Sequence, residues 1–157
     1  MPIPQSNQQA PKFQTFASNG KTVSLSDFNG KYVVLYFYPK DDTPGCTVEA
    51  CEFRDSISET EKLNAVVLGV SPDDLKSHDK FIKKFKLPFL LLADEDKTIC
   101  QDYGVWQEKS FMGEKYMGVV RTTFVIDKNG KIVKVFEKVK PEGHTQEVIE
   151  VLQKLGN

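Results

Sequence analysis

Residues 31–47 read KYVVLYFYPKDDTPGCT: an unbroken β-branched and aromatic run, a proline, a polar loop and a cysteine. Apolar and aromatic side chains at every position from Tyr32 to Tyr38, rather than at alternate ones, predict that Lys31–Tyr38 is a strand buried on both faces. Pro39 stops it, since proline has no amide to give the ladder. Beyond the loop, Ala50, Phe53 and Ile57 recur at i, i+3 and i+7, so Thr47–Lys62 is predicted to be a helix. Cys46 lies one turn before Ala50 on the same face, where that helix begins. Unpaired amides and the positive end of the helix dipole meet there and favour an anion.

Working outward, Ala65–Val70 (AVVLGV) is a second buried strand. Ser71-Pro72-Asp73-Asp74 then marks a helix start, with serine as N-cap and proline at the first helical position. Leu75, His78, Ile82 and Phe85 form the inner stripe of that helix, and Pro88 ends the segment. Phe89–Ala93 is a third strand and Thr98–Tyr103 a short helix. Asn129-Gly130 joins Arg121–Ile126 to Ile132–Phe136 as a hairpin, and Asn19-Gly20 does the same for Phe13–Ala17 and Thr22–Leu25. Val148, Leu152 and Leu155 give a closing helix its apolar face. The order is hairpin, β-α-β-α-β, short helix, hairpin, helix. It predicts an α/β fold: a central mixed sheet flanked by helices, with an N-terminal hairpin.

The chain has 157 residues, which suits a single domain over 1–157 with residues 1–10 as a flexible lead. Its hydrophobic fraction of 39% and charged fraction of 27% are those of an ordinary globular protein. A formal net charge of −1, with basic residues scattered among acidic ones, gives no footprint for nucleic acid. No apolar run approaches the roughly 20 residues of a membrane span. The polar, proline-rich start lacks the apolar stretch of a secretory signal. Three cysteines are too few for a disulfide framework, so a reducing, cytoplasmic setting is expected.

The chemistry concentrates around Cys46. Thr43 offers a hydroxyl three residues before the sulfur, and Pro39 and Pro44 stiffen the loop that aims both. A buried structural cysteine would satisfy the same spacing. Zinc is disfavoured, because Cys46-x4-Cys51 without a nearby Cys or His pair matches no usual ligand spacing. Cys100 reads as a small buried hydrophobe, and His78 as a satisfied core histidine. A thioredoxin-type reductase would need Cys-x-x-Cys, and Glu49 stands where its second cysteine belongs. A cysteine hydrolase would need a histidine base, and neither His78 nor His144 has a catalytic context.

Pro39-x-x-x-Thr43-x-x-Cys46 after a YFYP strand resembles the signature of peroxiredoxins. The similarity runs through Ala10-Pro11-x-Phe13, LYFYPKDDTPGCTVEACEFRD, GVSPD, LLLADED, YGVWQEKSFMGEKYMG and RTTFVIDKNGKI. Together these resemble the bacterioferritin comigratory protein, or peroxiredoxin Q, group. One departure is Gln107, where members of the group often carry glycine.

The resemblance implies a thioredoxin-like fold and reduction of hydrogen peroxide or organic hydroperoxides without metal or haem. It makes Cys46 the peroxidatic cysteine, Thr43 the hydroxyl that bonds the peroxide and Pro39 the shield of the site. Arg121 becomes the guanidinium that stabilises thiolate and peroxide, and Glu49 orients it. Cys51 becomes the cysteine that resolves the sulfenic acid, with recycling by a thioredoxin or glutaredoxin-type reductant, in a monomer or weak dimer. The alternative is a redox sensor or holdase that reacts once. Five residues along a helix give a rise of about 7.5 Å and a rotation of about 140°, so the two Cα atoms stand about 8–9 Å apart. A disulfide tolerates no more than about 7 Å, so a Cys46–Cys51 bond requires the first turns to unwind.

Overall fold

The computed structural model describes residues 2–156. The predicted strand forms as β3 (Tyr32–Phe37), and Val33–Phe37 are all buried. Val33, Leu35 and Phe37 pack into one apolar cluster, while Val34, Tyr36 and Tyr38 pack into another on the opposite face. This alternation is why the strand reads as continuously apolar: neither face meets water.

Before it come β1 (Gln14–Phe16) and β2 (Thr22–Ser24), the expected N-terminal hairpin, and a 3-10 turn over Leu25–Phe28. After it run α1 (Pro44–Asp55), α2 (Ile57–Lys62), β4 (Ala65–Ser71), α3 (Leu75–Phe85), β5 (Leu90–Ala93) and α4 (Thr98–Asp102). The chain continues with β6 (Trp106–Phe111), β7 (Glu114–Val119), β8 (Thr122–Ile126), β9 (Ile132–Glu137) and α5 (His144–Leu155). The central sheet has the order β5-β4-β3-β8-β9. β3, β4 and β5 are parallel, whereas β8 runs antiparallel to β3 and to β9, which makes the sheet mixed as expected. One face is covered by Ala50 and Phe53 of α1, Phe81 of α3, and Val148 and Leu152 of α5. Phe53 stacks on Tyr36 with centroids 4.8 Å apart. The other face is covered by Ile99 and Cys100 of α4 and by Ala10, Phe13, Ala17 and Val23 of the N-terminal segment. Among the described residues no helix is long and apolar enough to cross a membrane.

Three expectations are corrected. The predicted Thr47–Lys62 helix starts earlier, at Pro44 behind the N-cap Thr43, and breaks at Ser56, which ends α1 and opens α2. Asp55, Ser56 and the β-branched Ile57 are poor helix formers in a row. The next helix starts later than Ser71. That residue is absorbed into β4 opposite Ala93, and Asp74 is the N-cap, its carboxylate accepting from Ser77 N–H at 2.8 Å. The lead expected to be flexible is tied to the sheet: Asn7 N–H donates to the Ile132 carbonyl at 2.7 Å and Ala10 N–H to Gly130 at 2.9 Å. Beyond these, β6 and β7 form a hairpin for which no expectation stood; its turn is Met112-Gly113, with Met112 at φ 52°. Methionine is an unusual occupant of that left-handed position, which favours glycine or asparagine.

Candidate active site

The sheet register places the candidate residues. Phe37, the last residue of β3, pairs with Thr122, the first of β8. The loop into α1 therefore leaves the sheet beside the residue that precedes β8, Arg121. Two positions far apart in sequence meet because their strands run antiparallel side by side.

α1 begins with Thr43 in extended conformation and Pro44 at the first helical position. The first helical bond runs from Thr47 N–H to the Thr43 carbonyl at 2.8 Å, so the amides of Gly45 and Cys46 lie ahead of it. Cys46 is buried. Arg121 donates from Nη2 to Cys46 Sγ at 3.0 Å and from Nη1 to Glu49 Oε1 at 3.2 Å. One guanidinium thus bridges the sulfur and a carboxylate one turn further along α1. The arginine side chain is 19% exposed and Glu49 1%, so the ion pair sits under the surface with the cation on its open side. Gly45 makes room for it: a Cβ there would stand 2.8 Å from Arg121 Nη2.

Burial pushes the Glu49 carboxyl up to about 7, against the opposing pull of Arg121. Its second oxygen, Oε2, has no hydrogen-bond partner, and neither has the buried Tyr36 hydroxyl. Burial raises Tyr36 well above the ordinary phenol range, with the charges of Glu49 and Cys46 adding to the effect.

Cys46, Arg121 and Glu49 are therefore brought together. Thr43 flanks them, but its hydroxyl donates to the Lys40 carbonyl at 2.9 Å. Pro39 is half-buried at the exit of β3. Cys51 is half-buried on the same helix as Cys46, and both are free thiols. Cys100 is set apart on α4; burial pushes its thiol far up, and the neighbouring Asp94 adds to this. One residue the sequence gave no reason to single out is Lys109 of β6. Its Nζ donates to the Val119 carbonyl at 3.0 Å, and burial, then the Arg121 charge, pull its pKa down while Cys46 opposes them. Only recognising Met112-Gly113 as a turn would have folded Lys109 back toward the site.

The chain matches the AhpC/TSA family over residues 6–135. It is 49% identical over 146 residues to the peroxiredoxin Bcp of Bacillus subtilis, covering 93% of each chain. To the peroxiredoxin Bcp of Escherichia coli K12 it is 46% identical over 144 residues, covering 92% of each. Among solved structures, a cysteine-to-serine mutant of Xylella fastidiosa PrxQ superposes with a TM-score of 0.93 at 34% identity, covering 100% of this chain and 99% of that one. The bacterioferritin comigratory protein of Xanthomonas campestris, studied for its alkyl peroxide reduction activity, gives a TM-score of 0.90 at 34% identity, covering 99% and 98%. The chain belongs to the AhpC/TSA family and is a peroxiredoxin with a thioredoxin-like fold.

Proposed function

We propose that Cys46 is the sulfur this peroxidase oxidises, with Arg121, Thr43 and Glu49 arranged around the reacting atoms and Pro39 shielding them. The observation that carries this reading is the 3.0 Å contact between Cys46 Sγ and Arg121 Nη2 at the start of α1. A thiolate is the nucleophile, and a fixed cation with helix-start amides holds it in that form.

The thiolate attacks one oxygen of a hydroperoxide. The S–O bond forms as the O–O bond breaks, and the electron pair leaves on the other oxygen, which takes a proton from solvent to become alcohol or water. Arg121 donates toward that developing charge, where fixed donors act most strongly. Thr43 has its hydroxyl hydrogen on the Lys40 carbonyl, so its lone pairs accept the O–H of the incoming peroxide. Cys46 is left as a sulfenic acid. Cys51 then attacks it, forming the disulfide and releasing water, and a dithiol of the thioredoxin or glutaredoxin type returns two electrons. Both cysteines lie on the intact α1, so this step unwinds the first turns, at a cost of about a few kcal/mol. The resulting strain favours reduction of the bond.

The test is to treat the reduced protein with one equivalent of hydrogen peroxide, trap sulfenic acid and map disulfides. Sulfenic acid is expected at Cys46, followed by a Cys46–Cys51 bond and faster exchange of amides 47–52. Cys46→Ser should lose peroxide consumption by at least about a thousandfold. Consumption retained in that variant overturns the reading, and a single turnover in the presence of excess dithiol points to a sensor instead.

A further inference from the structure

Behind the loop that carries Thr43, a second buried polar cluster joins four segments of the chain. His78 of α3 is fully buried, and its ring nitrogens face a carbonyl oxygen and a carboxylate oxygen, which when ionised can likewise only accept. Nδ1 is 2.7 Å from Asp41 Oδ2 and Nε2 is 2.9 Å from the Leu92 carbonyl of β5. A neutral imidazole carries one N–H and can make only one of these bonds; both together need the imidazolium. Asp41 is the matching anion, and it also accepts from the Tyr38 hydroxyl at 2.5 Å and the Ser77 hydroxyl at 2.8 Å. Its amide is held as well, donating to Asp73 Oδ2 at 2.8 Å. Asp41, Asp73 and His78 have the spacing of metal ligands, but a histidine that donates from both nitrogens has no lone pair left for a metal.

We propose that His78 is a positioning residue of the peroxidase, a buried cation that ties Asp41, and through it the Lys40–Thr43 stretch, to α3. The consequence rests on the reading of Cys46 and Thr43 given above. Immediately after Asp41, Asp42 is in the left-handed region at φ 57°, a conformation that costs a non-glycine residue free energy and must be imposed from outside. Thr43 follows it, and Cys46 three residues later. The Asp41 anchor is the firm side of the hinge: unwinding α1 on oxidation starts beyond it and leaves β3 undisturbed.

The charges facing His78 are Asp41 from the loop and Asp73 from the β4–α3 turn; β5 contributes only the Leu92 carbonyl and α3 the neutral Ser77. Burial opposes the charged ring, but the bond to Asp41 and its charge outweigh this and hold the pKa above the ordinary histidine value. A raised folded pKa means the stabilisation is complete below the unfolded value, about 6.5, and is lost as pH rises through the folded one. The loop therefore loosens on the alkaline side.

Nitrogen-15 NMR of the reduced protein at pH 7 tests this without any substitution: both His78 ring nitrogens should be protonated. A bare ring nitrogen at that pH overturns the proposal. In His78→Gln and Asp41→Asn, amides 41–46 should exchange faster while those of β3 keep their protection, and peroxide oxidation of Cys46 should slow on the order of tenfold. The wild-type exchange rate should step upward with pH across the His78 titration, and His78→Gln should lack the step. Wild-type kinetics and an unchanged pH profile in a folded variant make His78 a core residue only. These readouts differ from loss of the Cys46 assignment, which leaves the NMR and exchange results intact.

Discussion

Asp41 precedes Cys46 by five residues and Glu49 follows it by three; both carboxylates are buried, and their surroundings differ in kind. Asp41 receives three side-chain bonds, from Tyr38, Ser77 and His78. Glu49 receives one, from Arg121, and leaves Oε2 unpaired beneath the surface. A fully satisfied buried network rigidifies what it touches, whereas a partly satisfied one holds free energy in reserve. The difference separates scaffold from site. On the proposed reading, Asp41 fixes where the loop goes, and Glu49 keeps Arg121 in place without saturating it, leaving guanidinium donors for sulfur and peroxide.

The largest expected effect that would break this contrast falls on Arg121. Arg121→Lys keeps the charge but loses the planar fork that reaches Cys46 and Glu49 together. Stopped-flow oxidation should slow by about 10- to 100-fold, with thermal stability little changed. Undiminished kinetics would mean that the bridge is an incidental ion pair.

Glu49→Gln sharpens the contrast, because activity and stability should move in opposite directions. With its carboxyl raised by burial from 4.5 to about 7, Glu49 contributes stability that is complete below 4.5 and is lost as pH rises through 7. A neutral glutamine does not follow that course. Between pH 5 and 8 the variant should therefore gain on the wild type, by up to about 3 kcal/mol in denaturant titrations. Its peroxide reaction should slow by about tenfold as Arg121 loses its ionic partner. A variant that loses stability at pH 8 would place Glu49 with Asp41 among the scaffold residues.

The smallest effect belongs to Cys100, buried beside Asp94, whose carboxylate accepts from the Cys100 amide at 2.7 Å. With its thiol pushed far up, it should resist alkylation in the folded protein, and Cys100→Ser should keep peroxide rates within about twofold.

How far these regions could be read in advance follows from the range of the forces that make them. β3, its stop at Pro39 and the start of α1 are local matters of side-chain shape and missing amides, and they show in seventeen consecutive letters. Arg121 lies 75 positions from Cys46, and only the Phe37–Thr122 register brings them together. Strand runs reveal themselves in sequence, but the partner a strand chooses is set by the whole sheet. Resemblance of motifs, rather than periodicity, supplied that pairing. His78 shows the same limit. Its place on the inner stripe of α3 was visible, but its bond to Asp41, 37 positions away, depended on where the β3 loop came to rest. At the start of α3, Ser71 and Asp74 compete as caps, and pairing of Ser71 with Ala93 across β4 and β5 decides between them.

The N-terminal segment has a bearing on how the sheet avoids pairing with other molecules. Ala17 bridges Leu92 and Ser18 N–H donates to the Leu91 carbonyl, covering β5 at one edge of the sheet. Gln9 bridges Lys131, and the Ile132 amide and carbonyl are taken by Gln8 and Asn7, covering the start of β9 at the other. Open edges recruit strands from neighbouring molecules and seed aggregates. One short segment, residues 7–18, thus covers part of both outer strands of the central sheet.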